Sequence, residues 1–90
     1  MICQERLWVL IRMREILAER LRACRKKGGY TQRDVSIYCD MTEKAYQNYE
    51  VGRQEPKLSI IMRIAEFYKV SIDYLVGLTD DPTPYQRKNK

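Results

Sequence analysis

The sequence predicts an all-α domain of five short helices. Apolar residues recur at steps of three and four, the spacing of one helical face. Thr31, Thr42 and Ser71 stand where three of these runs begin, and glycines stand where most of them stop. No alternating strand pattern competes with this reading, and no internal repeat is visible.

Helix one is read from Glu15 to Lys27, with Leu17, Leu21 and Cys24 on its inner face. Gly28-Gly29 ends it, because glycine takes the left-handed conformation that closes a helix. Arg25, Lys26 and Lys27 suit the negative end of the helix dipole. Upstream, Leu7, Leu10, Ile11 and Arg14 continue the stripe backward, while Trp8 and Val9 fall on another side. A longer helix, a strand-like segment and a disordered extension with Met13 as a second start all fit. The helix is carried forward, with residues 1–14 treated as an N-terminal extension.

Thr31 opens helix two, with Asp34 three residues on as the acidic half of a capping box. Val35, Tyr38 and Cys39 are assigned to its inner face. Only Asp40 and Met41 separate it from Thr42, the N-cap of a third helix running to about Val51, with Gly52 as its stop. Arg53-Gln54-Glu55 is a polar loop, and Pro56 fits the start of helix four. Leu58, Ile61, Ala65 and Tyr68 give that helix a face. Ser71 caps a last helix holding Ile72, Leu75 and Val76, ended by Gly77. The domain proper is thus 15–78, and 79–90, with two prolines and a basic end, reads as a flexible tail.

Ninety residues enclose one small core and leave little room for a deep catalytic cleft. Histidine, the commonest general base and metal ligand, is absent from the sequence. Cys3, Cys24 and Cys39 lack the paired spacing of a zinc site or disulfide framework. They read as small apolar residues in a reduced, cytoplasmic protein. No apolar run approaches the ~20 residues that span a bilayer. An enzyme, a cofactor, a metal site and a membrane partner are therefore not expected.

The formal charge is +5, which puts nucleic acid among the partners, although an ordinary solvated surface accounts for it as well. Its distribution is uneven. Residues 1–30 carry eight basic and three acidic side chains, whereas residues 31–56 carry three basic and five acidic. The surplus lies before the paired helices, not on them.

Two short helices joined by a tight turn outline a helix-turn-helix domain. From about Leu17 to Asp80 the sequence also resembles the Cro/Xre-type phage-repressor DNA-binding domains, which share a five-helix, lambda-repressor-like fold. The resemblance is carried by YTQRDVS at helix two, TEKAYQNYEVGRQEP across helix three and its exit, and IMRIAEFYKVSIDYLVGLTD at the end. The family usually has glycine where Asp40 stands, alanine at Ser36 and a branched aliphatic residue at Tyr46. Tyr46 is therefore expected to widen the gap between helices two and three, or to send its hydroxyl to the edge.

Ala45, Tyr46 and Tyr49 fall on the inner side of helix three, and Thr42, Glu43, Lys44, Gln47 and Asn48 on the outer side. From composition alone that outer face is an ordinary solvated one; the resemblance makes it a reader of the major groove. Gln47 and Asn48 can pair with adenine, Lys44 with guanine and Glu43 with cytosine. The resemblance also assigns Gln32 to the phosphate backbone. Thr42, Arg53 and Lys57 are further phosphate candidates, as is Arg33, although Lys57 and Arg33 fit a merely exposed role equally well. It pairs Arg25 of helix one with Glu50 at the end of helix three, as a partly buried ion pair.

The implied function is a sequence-specific transcriptional regulator, a repressor, acting as a homodimer on a double-stranded DNA operator. Dimerisation is expected through the apolar segment around Trp8, with the helix-five edge near Ile72 and Tyr74 as the other candidate. The alternative is a protein-interaction module on the same fold, such as an antitoxin or the partner of another regulator.

Overall fold

The computed structural model describes residues 2–84, with side chains at 9 and from 11 onward. The described residues form five helices: α1 (Ile2–Gly28), α2 (Gln32–Tyr38), α3 (Glu43–Glu50), α4 (Leu58–Tyr68) and α5 (Ile72–Leu75). The N-terminal extension is thus continuous with helix one. A helix of 27 residues is about 40 Å long. The buried residues described on it begin at Leu17 and include Ala18 and Leu21. They pack chiefly against α3 and also reach α4 and α5, while α2 fills the remaining side between α3 and α4.

Two inner faces are rotated from the sequence reading. On α2, Val35 and Cys39 are buried as expected, but Ser36 joins them and Tyr38 is 49% exposed. Ser36 is tolerated inside because its hydroxyl donates to the Arg33 carbonyl at 2.8 Å, within its own helix. The ring of Tyr38 instead lies against Phe67, with centroids 5.1 Å apart. On α4, Leu58 is 71% exposed, and the core positions are Ile61, Ile64 and Ala65. The helix starts at Leu58 itself, one turn before the face that meets the core. Pro56 therefore lies in the loop, and Lys57 is the N-cap without a capping side chain.

Tyr46 departs from one of its two expected outcomes, a hydroxyl at the edge. It is fully buried, and its hydroxyl lies 2.7 Å from that of Tyr68 rather than at an edge. A buried phenol needs a hydrogen-bond partner, and α4 supplies one.

All five helices close the same way. A residue at or just beyond the C-cap takes positive φ, and the next amide bonds back to a carbonyl five residues earlier, as in Tyr30 to Arg25, Met41 to Ser36, Arg53 to Asn48, Val70 to Ala65 and Leu78 to Asp73. Glycine fills the left-handed position after α1, α3 and α5. Asp40 (φ 58°) fills it after α2, and Lys69 (φ 59°) after α4. Aspartate tolerates this geometry better than most residues; lysine has no such excuse.

The tail expected to be flexible is fastened over its first residues. Arg20 donates to the carbonyls of Tyr74 (2.6 Å) and Thr79 (2.7 Å) and to the carboxylate of Asp80 (2.8 Å). Its guanidinium also covers the Tyr74 ring, 4.2 Å from the centroid. The Ser71 amide donates to the Pro82 carbonyl at 3.0 Å. The remainder of the tail, 85–90, lies outside the described residues.

A β-carbon in the left-handed region costs about 1–2 kcal/mol. Lys69→Gly is therefore expected to stabilise the fold by about 1 kcal/mol, less the extra chain entropy of glycine. A lower urea midpoint in Lys69→Gly would contradict this account of the α4 terminus.

Candidate nucleic-acid interface

The candidate interface begins with how α2 and α3 start. Thr31 accepts from the Asp34 amide at 3.0 Å, and the Asp34 carboxylate accepts from the Thr31 amide at 2.9 Å, completing the capping box. Thr42 accepts from the Ala45 amide at 3.1 Å. The Asp40 turn between them lets α3 leave α2 after only four residues. Ala45, Tyr46 and Tyr49 then face inward, with Tyr46 and Tyr49 buried and Ala45 half-buried.

On the outer side, Glu43, Lys44 and Gln47 are exposed, and their side chains make no hydrogen bond or ion pair among the described residues. These three are open to a ligand. Thr42 is exposed too, but its hydroxyl already caps the helix. Asn48 differs: it is half-buried, and its carbonyl oxygen accepts from Arg53 at 3.0 Å. Its amide nitrogen lies 3.5 Å from Gln54, a marginal contact. Arg53 is thus held against the end of α3 rather than reaching freely from the loop. Arg33 and Lys57 are exposed at the starts of α2 and α4, without side-chain partners among the described residues.

The inner end of α3 is held by Glu50. Its side chain is 2% exposed and meets Arg25 of α1 through two bonds, Nε to Oε2 at 2.7 Å and the terminal nitrogen to Oε1 at 3.0 Å. This bidentate fork is the strong geometry for guanidinium and carboxylate. Arg22, one turn earlier on α1, donates to the Glu50 carbonyl. Two arginines thus meet the negative end of the α3 dipole. Gln32 donates to Glu50 Oε1 at 3.1 Å. Gln32, expected on the phosphate backbone, is turned inward at one of its two amide hydrogens, and the second remains for an outside acceptor.

Burial pushes the Glu50 carboxyl up, but hydrogen bonds from Arg25, Tyr46 and Gln32 outweigh it and hold the group below the usual carboxylate range. The hydrogen bond to Glu50 keeps Arg25 protonated still more firmly. Burial raises Tyr46, and its bonds to Tyr68 and Glu50 raise it further; burial also raises Tyr68. Both phenols are neutral at any ordinary pH.

The sequence reading brought Arg25 and Glu50 together but missed Arg22, Tyr68 and the Asn48–Arg53 pair. A signal for Tyr68 was present: two inward tyrosines on packed helices require somewhere for their hydroxyls to go. Nothing local in the sequence marks Asn48 as tied to its exit loop.

The tight α2–α3 pair, with a braced inner face and an open polar outer face, defines a helix-turn-helix domain. Residues 21–75 match the family HTH_3, described as helix-turn-helix, and the chain belongs to this Cro/Xre-type family. Relatives come from Bacillus subtilis (strain 168). The uncharacterized HTH-type transcriptional regulator YobD is 38% identical over 79% of this chain and 64% of its own. The SPbeta prophage-derived uncharacterized HTH-type transcriptional regulator YonR is 33% identical over 68% of this chain and 56% of its own. The HTH-type transcriptional regulator ImmR is 33% identical over 68% of this chain and 48% of its own. This chain thus spans roughly half to two thirds of the length of these relatives. No solved structure matches it significantly. Among the described residues no helix is long and apolar enough to cross a membrane.

Arg25→Ala strands a buried carboxylate, so it is expected to destabilise the fold by about 3–5 kcal/mol. An unchanged urea midpoint would show that the pair does not hold α3. The pH dependence follows from the lowered Glu50 pKa. A group whose folded pKa lies below its unfolded value stabilises above the unfolded value, about 4.3. That stability is lost as pH falls through the folded value. Urea midpoints measured from neutral pH downward are expected to drop below about pH 4.3, and less so in Glu50→Gln.

Proposed function

We propose that this chain is the sequence-specific DNA-binding part of a transcriptional regulator, a repressor that reads the major groove with α3. The observation that carries the reading is the open face of Glu43, Lys44 and Gln47 on a helix whose other side and C-terminal end are fixed. A helix fits the major groove, where each base pair presents a distinct pattern of donors and acceptors. Lys44 is assigned to guanine, Gln47 to adenine and Glu43 to cytosine. Thr42 and Asn48 belong to the same face, Asn48 with Arg53 as a joined unit.

The phosphates carry most of the affinity and no sequence information. Gln32 grips a phosphate with its second amide hydrogen, and Arg33, Arg53 and Lys57 supply positive charge around it. The chain binds as a homodimer on two half-sites about one helical turn apart. Its first dimerisation candidate is the segment around Trp8, which lies mostly outside the described side chains, although Val9 and Ile11 are exposed at 57% and 50%. Ile72 and Tyr74, the other candidate, are half-buried, and Tyr74 lies under Arg20. Action is on cytoplasmic DNA, with no catalytic step and no cofactor.

One observation favours the second reading, a protein-interaction module. Lys44 is the single cation on the α3 face, and residues 31–56 carry more acids than bases. Selection from a random pool of duplexes separates the two. A palindromic consensus is expected, with affinity falling steeply as salt rises. Lys44→Ala and Gln47→Ala are each expected to relax preference at one base position by about 1–3 kcal/mol. A pool without enrichment even at low salt would leave the protein-binding reading in its place.

A further inference from the structure

A cleft of about 550 Å³ opens between the C-terminal ends of α1 and α4 and the first part of the tail. That volume lies within the range of small-molecule sites. Neither α2 nor α3 contributes a residue to its lining. Binding DNA through α3 therefore gives this cleft no role.

Its walls are held in place by specific contacts. The Tyr30 ring lies over Gly28, where a β-carbon would stand 2.5 Å from a ring carbon, so only glycine leaves the ring its place. That ring packs on Phe67 with centroids 4.6 Å apart, and Phe67 packs on Tyr68 at 5.2 Å. The tail supplies a further wall at Pro82, Thr83 and Pro84. The Pro82 carbonyl accepts from the Ser71 amide at 3.0 Å, and the Asp81 carboxylate accepts from the Thr83 amide at 3.0 Å and its hydroxyl at 2.7 Å. Arg20 anchors the same strap at Thr79 and Asp80.

The charge of the cleft has one sign. Lys27 and Lys69 both line it, and neither side chain has a hydrogen bond or ion pair among the described residues. No acidic side chain among the described residues lines it. Burial raises the Cys24 thiol above its ordinary value, although Lys27 and Arg20 pull it the other way, so the thiol adds no negative charge at neutral pH. Lys69 is also the residue with the left-handed backbone (φ 59°), where glycine would sit without strain. Strain of this kind persists where a side chain is needed, as at ligand clamps.

We propose that this cleft binds an aromatic organic anion, with its ring among Tyr30, Phe67 and Tyr68 and its charge against Lys27 and Lys69. The aromatic walls accept a flat apolar body, and the two ammonium groups select a negative head. A neutral ring leaves both lysines without partners, and a bare inorganic anion leaves the aromatic faces uncovered.

The test uses the full chain and anilinonaphthalene sulfonate, an aromatic anion that fluoresces when bound. Phenylnaphthylamine, the same rings without the sulfonate, is the neutral comparator. The sulfonate is expected to bind saturably, one molecule per chain, and more tightly than the comparator. Lys27→Gln and Lys69→Gly are each expected to weaken it about fivefold, the scale of a partly solvated ion pair, and to leave the neutral dye unchanged. Lys69→Gly is the sharper variant: it is expected to raise the urea midpoint while lowering affinity, which loss of packing would not do. Gly28→Ala displaces the Tyr30 ring and is expected to weaken both dyes. Equal affinity for the two dyes, or sulfonate binding unmoved by either lysine substitution, would overturn the proposal.

Discussion

The structure depends on one buried carboxylate. Glu50 ends α3, and groups from α1 and α2 converge on it. Taking an ionised group out of water is costly, and a single partner rarely compensates. Here the Arg25 fork, the Gln32 amide and the Tyr46 hydroxyl together hold the group ionised. The cost also explains the specificity: a slipped or rotated α3 would leave the charge without its donors. A purely apolar contact would penalise such a slip far less, because apolar packing has no direction.

That constraint matters because the helices are too short to stand alone. Isolated helices under about 12 residues are marginal in water, and α2 to α5 all fall below that length. Capping and packing must do what propensity does not. Side-chain caps begin α2, α3 and α5, and left-handed turns close every helix. The helix-turn-helix itself is two such devices in sequence, the closing turn at Asp40 and the opening cap at Thr42. Arg20 extends the same logic past α5 by satisfying the carbonyls of Tyr74 and Thr79.

Much of this was legible in the sequence because caps and stops are local. Thr31 with Asp34, Thr42, Gly52, Ser71 and Gly77 each announce a boundary through the chemistry of a few residues. Errors arose where the answer depends on another element. Periodicity placed Tyr38 and Leu58 inside, since both are apolar at helical spacing, but α2 turns Ser36 inward in place of Tyr38, and α4 begins only at Leu58. Lys69 shows no sign of its left-handed backbone. The site divides along the same line. The outward set on α3 followed from the helical wheel, and Arg25 with Glu50 followed from the family pattern. The inward turn of Gln32, the engagement of Asn48 and the Tyr68 hydroxyl are contacts between distant residues, which no local pattern encodes.

The arginine partner of Glu50 admits two roles in DNA binding. As a brace it acts through α3; as a cation near the helix ends it acts on phosphate directly. A mutant cycle with Arg25→Met and Glu50→Gln, read as affinity for a selected duplex, separates them. If the carboxylate knot places the reading helix, both single variants lose affinity to a similar extent, and the double variant loses no more than either alone. Losses confined to Arg25→Met, with Glu50→Gln binding as the wild type does, would contradict the claim that Glu50 holds the recognition helix in place.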